Sequence, residues 1–173
     1  VAVGIGPARV GGRAEPDRRE DLLAVLDHAG AENVHFCGES MGGILGLALA
    51  ARHADRIRTL TLVSTPVFIE QQMKERYSLG RGSRIEAMQE MGIREWVAAT
   101  TRGTRLPADT EPGLFDWYVD EFCKGDSEIQ IAMSRVVNEA NAQGFLADIA
   151  CPVLGLYPTG GHITSSNQEQ LLR

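Results

Sequence analysis

Hydrophobic and polar positions follow two rhythms along this chain. In the first third, short β-prone runs alternate with helical spacings. Val1 to Val3, Val34 to Cys37 and Ile57 to Val63 are bounded by turn residues and are too short and β-prone for helices. Ahead of the second run, Asp17 and Glu20 stand in capping-box spacing. Leu22, Val25, Leu26 and Ala29 follow as an expected buried stripe, and Gly30 as a stop. After it, Ile44 to Ala51 is apolar on all faces, which predicts a helix enclosed by protein. Strand and helix alternating in this way predict a parallel sheet covered by crossover helices.

From residue 66 to 148 the strand rhythm disappears. Ser83 and Glu86 form a second capping box ahead of Ile85, Met88 and Met91. Phe115, Tyr118, Val119 and Phe122 share one helical face, and Ile129, Ala132, Met133, Val136, Val137 and Ala140 another. By spacing, Met88, Met91, Trp96, Trp117 and Tyr118 are mostly core. Val153 to Tyr157 returns to strand, and Ser166 with Glu169 opens a further helix. The expected class is α/β, with a mostly parallel sheet from residues 1–65 and 149–173 and an all-helical insertion over 66–148.

Composition narrows the function classes. A chain of 173 residues, 43% hydrophobic and 23% charged, is of single-domain size and ordinary globular make-up. A formal charge of −6 speaks against a nucleic-acid partner, whose phosphates need clustered Lys and Arg. The longest apolar run is far too short to cross a bilayer, so no membrane partner is expected. Val1 to Gly6 lacks the basic start and long apolar stretch of a secretory leader and reads as a strand entered midway. Cys37, Cys123 and Cys151 are an odd number at unrelated spacings, which fits no disulfide framework and points to a reducing, cytoplasmic setting. His28, His35, His53 and His162 show no metal-binding spacing, so neither metal nor organic cofactor is expected. Nothing in the composition decides for or against a homo-oligomer.

Between the second strand and the enclosed helix lies Gly38-Glu39-Ser40-Met41-Gly42. A serine between two glycines is either a small residue in a tight turn or a nucleophile held on a strained strand-to-helix elbow, and the flanking elements favour the second. The elbow needs Gly38 and Gly42 small so that strand and helix approach. Ser40 then projects at the carboxyl end of its strand, where open parallel sheets place their sites, and the Met41 N–H at the helix start can serve a developing oxyanion.

On this motif and its surroundings, "DLLAVLDHAGAENVHFCGESMGGILGLALAARHADRIRTLTLVSTP" resembles the helix, nucleophile strand, elbow, central helix and next strand of the α/β-hydrolase superfamily, with Ser40 in the nucleophile's place. The 66–148 segment is similar to that family's helical cap. "ACPVLGLYPTGGH" resembles the strand that re-enters the core. The chain looks most like helical-cap hydrolases of small molecules: enol-lactone and carbon-carbon bond hydrolases, esterases and cofactor-free haloperoxidases. It departs from the family after Tyr157, where the usual acid is replaced by Pro158-Thr159-Gly160-Gly161-His162, and after Val63, where Ser64 holds the alternative acid position. No histidine follows His162, and the resemblance implies a core missing both ends.

The resemblance implies a serine hydrolase acting on a small apolar ester, lactone or activated ketone, with Ser40 attacking and Met41 N–H holding the oxyanion. Three alternatives use the same fold: a non-catalytic ligand receptor or scaffold, an acyltransferase, and a cofactor-free haloperoxidase. Other residues carry structural readings beside functional ones. His35 reads as a packed strand residue, His53 as a helix-end cation and His162 as a loop residue near the site. Glu39 reads as a neighbour that tunes the serine, and Glu70 as a stand-in for the missing acid.

Overall fold

The computed structural model describes residues 18–158. The strand at Val1 to Val3, the Asp17–Glu20 box, His162 and the Ser166 helix lie outside what it describes. The chain divides into two compact units. Among the described residues, one comprises 18–68 with 140–158 and the other 69–139.

In the first unit, α1 (Arg18–His28) leads into β1 (Val34–Glu39), α2 (Met41–Arg52) and β2 (Ile57–Val63). A short 3-10 helix (Gln143–Asp148) and β3 (Val153–Leu156) complete it. The sheet is parallel throughout in the order β1-β2-β3, as strand-helix alternation predicts. Glu39 pairs with Val63 and Val63 with Leu156, so the carboxyl ends of all three strands finish at one edge.

The all-apolar stretch forms α2, with Ile44, Leu47, Ala48, Leu49 and Ala50 buried against β1 and β2, where Leu60 and Leu62 are also fully buried. Gly46 allows the close fit. A Cβ there would stand 2.7 Å from the Phe36 ring and 2.9 Å from Leu60 Cδ1. Where the chain leaves this unit and returns to it, Ala142 N–H donates to Val67 O at 2.7 Å and Phe68 bridges Asn141, so exit and re-entry are pinned side by side.

One expectation changes in this unit. The α1 stripe is not enclosed: Leu22 and Leu26 are half-buried and Val25 is exposed. The sheet face belongs to α2, and α2 is the main support of α1. β3 is an edge strand exposed at every position, including Leu154 and Leu156.

The second unit is all-helical: α3 (Gln71–Ser78), α4 (Arg84–Met91), α5 (Ile93–Thr101), α6 (Pro112–Phe122) and α7 (Ser127–Glu139). Its core gathers Met73, Tyr77, Ala87, Met88, Trp96, Val97, Phe115 and Val119. Trp96 is 1% exposed, and its indole N–H donates to Tyr77 O at 2.9 Å, which satisfies the one polar atom of a large buried ring. Ser83 caps α4 as its spacing predicts, accepting from Glu86 N–H at 3.1 Å, while its hydroxyl donates to the Glu86 carboxylate. Pro112 opens α6, and the Glu111 carboxylate accepts from Gly113 and Leu114 N–H, both at 2.8 Å.

Here too the spacing misplaces some side chains. Trp117 is 58% exposed, because two residues along α6 from Phe115 is more than half a turn away from the face that Phe115 and Val119 bury. The α7 stripe is only half-buried, since within this unit α4 is its main neighbour.

Candidate active site

Ser40 occupies the single position between β1 and α2, and its backbone reflects the demand of that turn. With φ 49° and ψ −113° it lies outside the allowed regions for an L-residue, at a cost of about 1–3 kcal/mol. The surroundings hold it there from both sides. Its N–H donates to Val63 O at 3.0 Å, extending the β1–β2 ladder by one rung, and its carbonyl accepts from Gly43 and Ile44 N–H in the first turn of α2.

Although Ser40 is the N-cap of α2, its hydroxyl does not cap the helix. Serine at this position ordinarily accepts from the second or third N–H of the helix. Here no such bond forms. The first N–H groups of α2, those of Met41 and Gly42, have no intrahelical partner and carry the positive end of the helix dipole. Ser40 and Met41 are both half-buried, within reach of solvent.

The glycines divide differently from the expectation. A Cβ on Gly38 would fall 2.5 Å from both Gly42 O and Gly43 N, so strand and helix backbones meet there and only glycine fits. A Cβ on Gly42 would meet nothing within 4 Å. The helix-side glycine under steric demand is Gly43, where a Cβ would stand 2.6 Å from Thr65 Cγ2 and 2.7 Å from Thr65 Cβ.

Beneath the elbow, Thr65 is fully buried and its hydroxyl lies 3.4 Å from Gly38 O and 3.3 Å from Val63 O. Tyr157 OH donates to Thr65 O at 3.1 Å, tying the end of β3 to the end of β2. Ser64, one register step from Ser40, also has a positive φ of 46°, and its N–H donates to Leu156 O at 2.9 Å. Two adjacent strands thus end in a strained serine. The sequence reading took Ser64 only as the occupant of an alternative acid position and gave Thr65 no role; the signal was the Ser-Thr-Pro that stops β2.

The described histidines are not brought to Ser40. His35 sits near the start of β1, five residues and about 16 Å of strand from Ser40. It is exposed, with Nδ1 2.8 Å from Thr59 Oγ1 on the neighbouring strand, so it is a surface residue of the sheet and not a packed one. His53 ends α2, thirteen residues and about 20 Å of helix away, where its N–H donates to Leu49 O. His28 closes α1 ahead of the opposite end of β1. Glu70 is the N-cap of α3 in the helical unit. Glu39 is exposed on the residue before Ser40.

Among the described residues, no three His, Cys, Asp or Glu side chains gather as a metal site, and no helix is long and apolar enough to cross a membrane. Burial pushes the Cys151 thiol up, and it lies on the approach to β3 and not at the elbow.

Known proteins share this fold. A family model described as alpha/beta hydrolase fold matches residues 15–87, which include the elbow. The chain is 29% identical over 162 residues to 3-oxoadipate enol-lactonase 1 of Acinetobacter baylyi, covering 89% of this chain and 56% of that protein. The enol-lactonase structure from Burkholderia xenovorans LB400 superposes with a TM-score of 0.69 at 27% identity, over 89% of this chain and 58% of that one. A hydrolase structure from Pseudomonas aeruginosa PA01 gives 0.74 at 23% identity, over 89% and 57%, and supports the fold alone. The chain therefore spans about half the length of the curated relatives it matches. With its parallel sheet, enclosed central helix and the strand-to-helix turn at Ser40, the chain has the α/β-hydrolase fold.

Proposed function

We propose that the protein is a serine hydrolase that opens a small ester or lactone, with Ser40 as nucleophile. The observation that carries this reading is the conformation of Ser40: a non-glycine residue held outside the allowed backbone regions, at a helix N-terminus that its hydroxyl does not cap. Such strain persists only where the surroundings over-determine it, and a serine kept from its usual capping bond is free for chemistry. The relatives named enol-lactonase favour a lactone within the class of small apolar carbonyl substrates.

In the proposed reaction, Ser40 Oγ forms a bond to the substrate carbonyl carbon while a general base takes its proton. The carbonyl oxygen becomes an oxyanion beside the Met41 N–H, where the α2 dipole is also favourable. Collapse breaks the carbon–oxygen bond to the leaving group, which takes the proton from the base. Water, deprotonated by the same base, then releases the acid product and restores Ser40. His35 and His53 lie too far along β1 and α2 to be that base. No metal or organic cofactor enters these steps.

A second reading, a non-catalytic receptor of the same fold, is favoured by the distance of His28, His35 and His53 from the elbow. A fluorophosphonate probe decides between the two. The hydrolase reading expects a single covalent adduct on the peptide containing Ser40, absent in Ser40→Ala. A folded protein that stays unlabelled with saturating probe refutes it.

A further inference from the structure

Two arginines of the helical unit rest on its aromatic core with no ion-pair partner among the described residues. Arg84, the first residue of α4, is 8% exposed, and its guanidinium carbon lies 4.3 Å from the centroid of the Tyr77 ring and 5.8 Å from that of Trp96. The Arg105 guanidinium carbon lies 5.0 Å from Tyr77, 5.6 Å from Trp96 and 5.9 Å from Phe122. Arg105 Nη1 donates to Thr100 Oγ1 at 3.2 Å and to Thr101 Oγ1 at 3.3 Å, while Arg84 Nε is buried and donates to nothing.

The ion pairs among the described residues join Arg56 to Asp27, Arg81 to Glu90, Arg94 to Asp120 and Lys124 to Glu121, so neither Arg84 nor Arg105 has one. Burial is the main cause that pulls the Arg84 guanidinium down to about 10, and Arg105 adds to it against the opposing pull of Tyr77. Arg84 therefore remains a cation at neutral pH.

Buried arginine is rare without a paired anion, and two in one cluster repel. The ring faces compensate in part through cation–π attraction. They supply no acceptor for the Arg84 N–H groups. A carboxylate does: it is planar, it matches the guanidinium fork with two parallel hydrogen bonds, and it offsets the mutual repulsion of both cations. Arg105 is half-buried, which leaves that member of the pair partly open to solvent.

We propose that Arg84 and Arg105, set on Tyr77 and Trp96, form a binding site for the carboxylate group of a small organic acid. The site lies within the helical unit and does not depend on Ser40 being reactive. Its test uses the chain carrying Trp117→Phe, which leaves Trp96 as the sole indole, titrated at constant ionic strength set with chloride. The probes are succinate, its uncharged diamide and inorganic phosphate. Trp96 fluorescence and calorimetry are the readouts.

The expected result is saturable binding of succinate, none of the diamide, and at least tenfold weaker succinate binding in Arg105→Gln and in Arg84→Met. Circular dichroism establishes that each variant is folded. If Arg84→Met does not fold, Arg105→Gln carries the test, because its side chain is only half-buried. Succinate acting no differently from chloride overturns the proposal, as does succinate binding that Arg105→Gln leaves unchanged. Saturable binding of phosphate without succinate overturns the assignment to a carboxylate.

Discussion

Replacing Gly38 by alanine adds one methyl group where the structure has no room for it. The new Cβ would lie 2.5 Å from Gly42 O and from Gly43 N, about 0.9 Å inside ordinary contact, and both obstacles are backbone atoms at the start of α2. Backbone cannot rotate aside as a flexible side chain can. The helix start must lift from the strand, and overpacking of this kind costs about 1–3 kcal/mol. The same lift disturbs Ser40, whose N–H is tied to Val63 O and whose carbonyl is tied to Gly43 and Ile44.

A misplacement approaching 1 Å at a reacting group costs about 10²-fold in rate. Gly38→Ala is therefore expected to lose about 1–3 kcal/mol in urea unfolding and about 10²-fold in fluorophosphonate labelling. Gly42→Ala is the matched control. It adds the same methyl four residues away, where nothing lies within 4 Å, and it removes a glycine from a helix, so it should be neutral or stabilising by up to about 1 kcal/mol. Equal destabilisation by the two substitutions, or a harmless Gly38→Ala, would refute the steric account of the elbow.

Three further outcomes follow from the geometry. Ser40→Gly relieves a conformation that glycine adopts without strain, so it should raise unfolding stability by about 1 kcal/mol while abolishing probe labelling; a loss of stability would show that the backbone is not strained. Trp96→Phe removes the donor to Tyr77 O and leaves a void in the helical core, for an expected loss of about 2–4 kcal/mol. Trp117→Phe on the exposed face of α6 should change stability by less than about 0.5 kcal/mol in the same urea titration. Hydrogen bonds from Gly113 and Leu114 N–H hold the Glu111 carboxyl below its ordinary pKa, so its contribution is full above the unfolded value and disappears as pH falls through the lower folded value. Unfolding measured on the acid side of neutrality should show Glu111→Gln with a shallower loss of stability than the parent, and parallel curves would count against the cap.

What the sequence made legible, and what it did not, has a physical pattern. Ile57–Val63 reads as a strand because β-branched residues recur at alternate positions between two turns, and Ile44 to Ala51 reads as enclosed because no face of that helix is polar; both signals are local. The turn at Ser40 was legible for the same reason, since strand, turn and helix adjoin in the chain. Burial was less legible wherever it depends on a neighbour distant in sequence. The stripes of α1 and α7 are correctly spaced, yet spacing says nothing of what stands opposite, and each has one main supporting helix. Trp117 fails for another reason: a large ring on a helix suggests core, and only the helical angle from Phe115 shows that it faces outward. Gly42 and Gly43 show the limit most clearly. A five-letter motif assigned the demand for smallness to Gly42, but the atom that crowds the helix belongs to Thr65, a residue beyond the next strand, and it crowds Gly43. Local pattern can locate an elbow, whereas the reason each glycine is needed depends on which strand passes beneath the helix, and that follows from the sheet order.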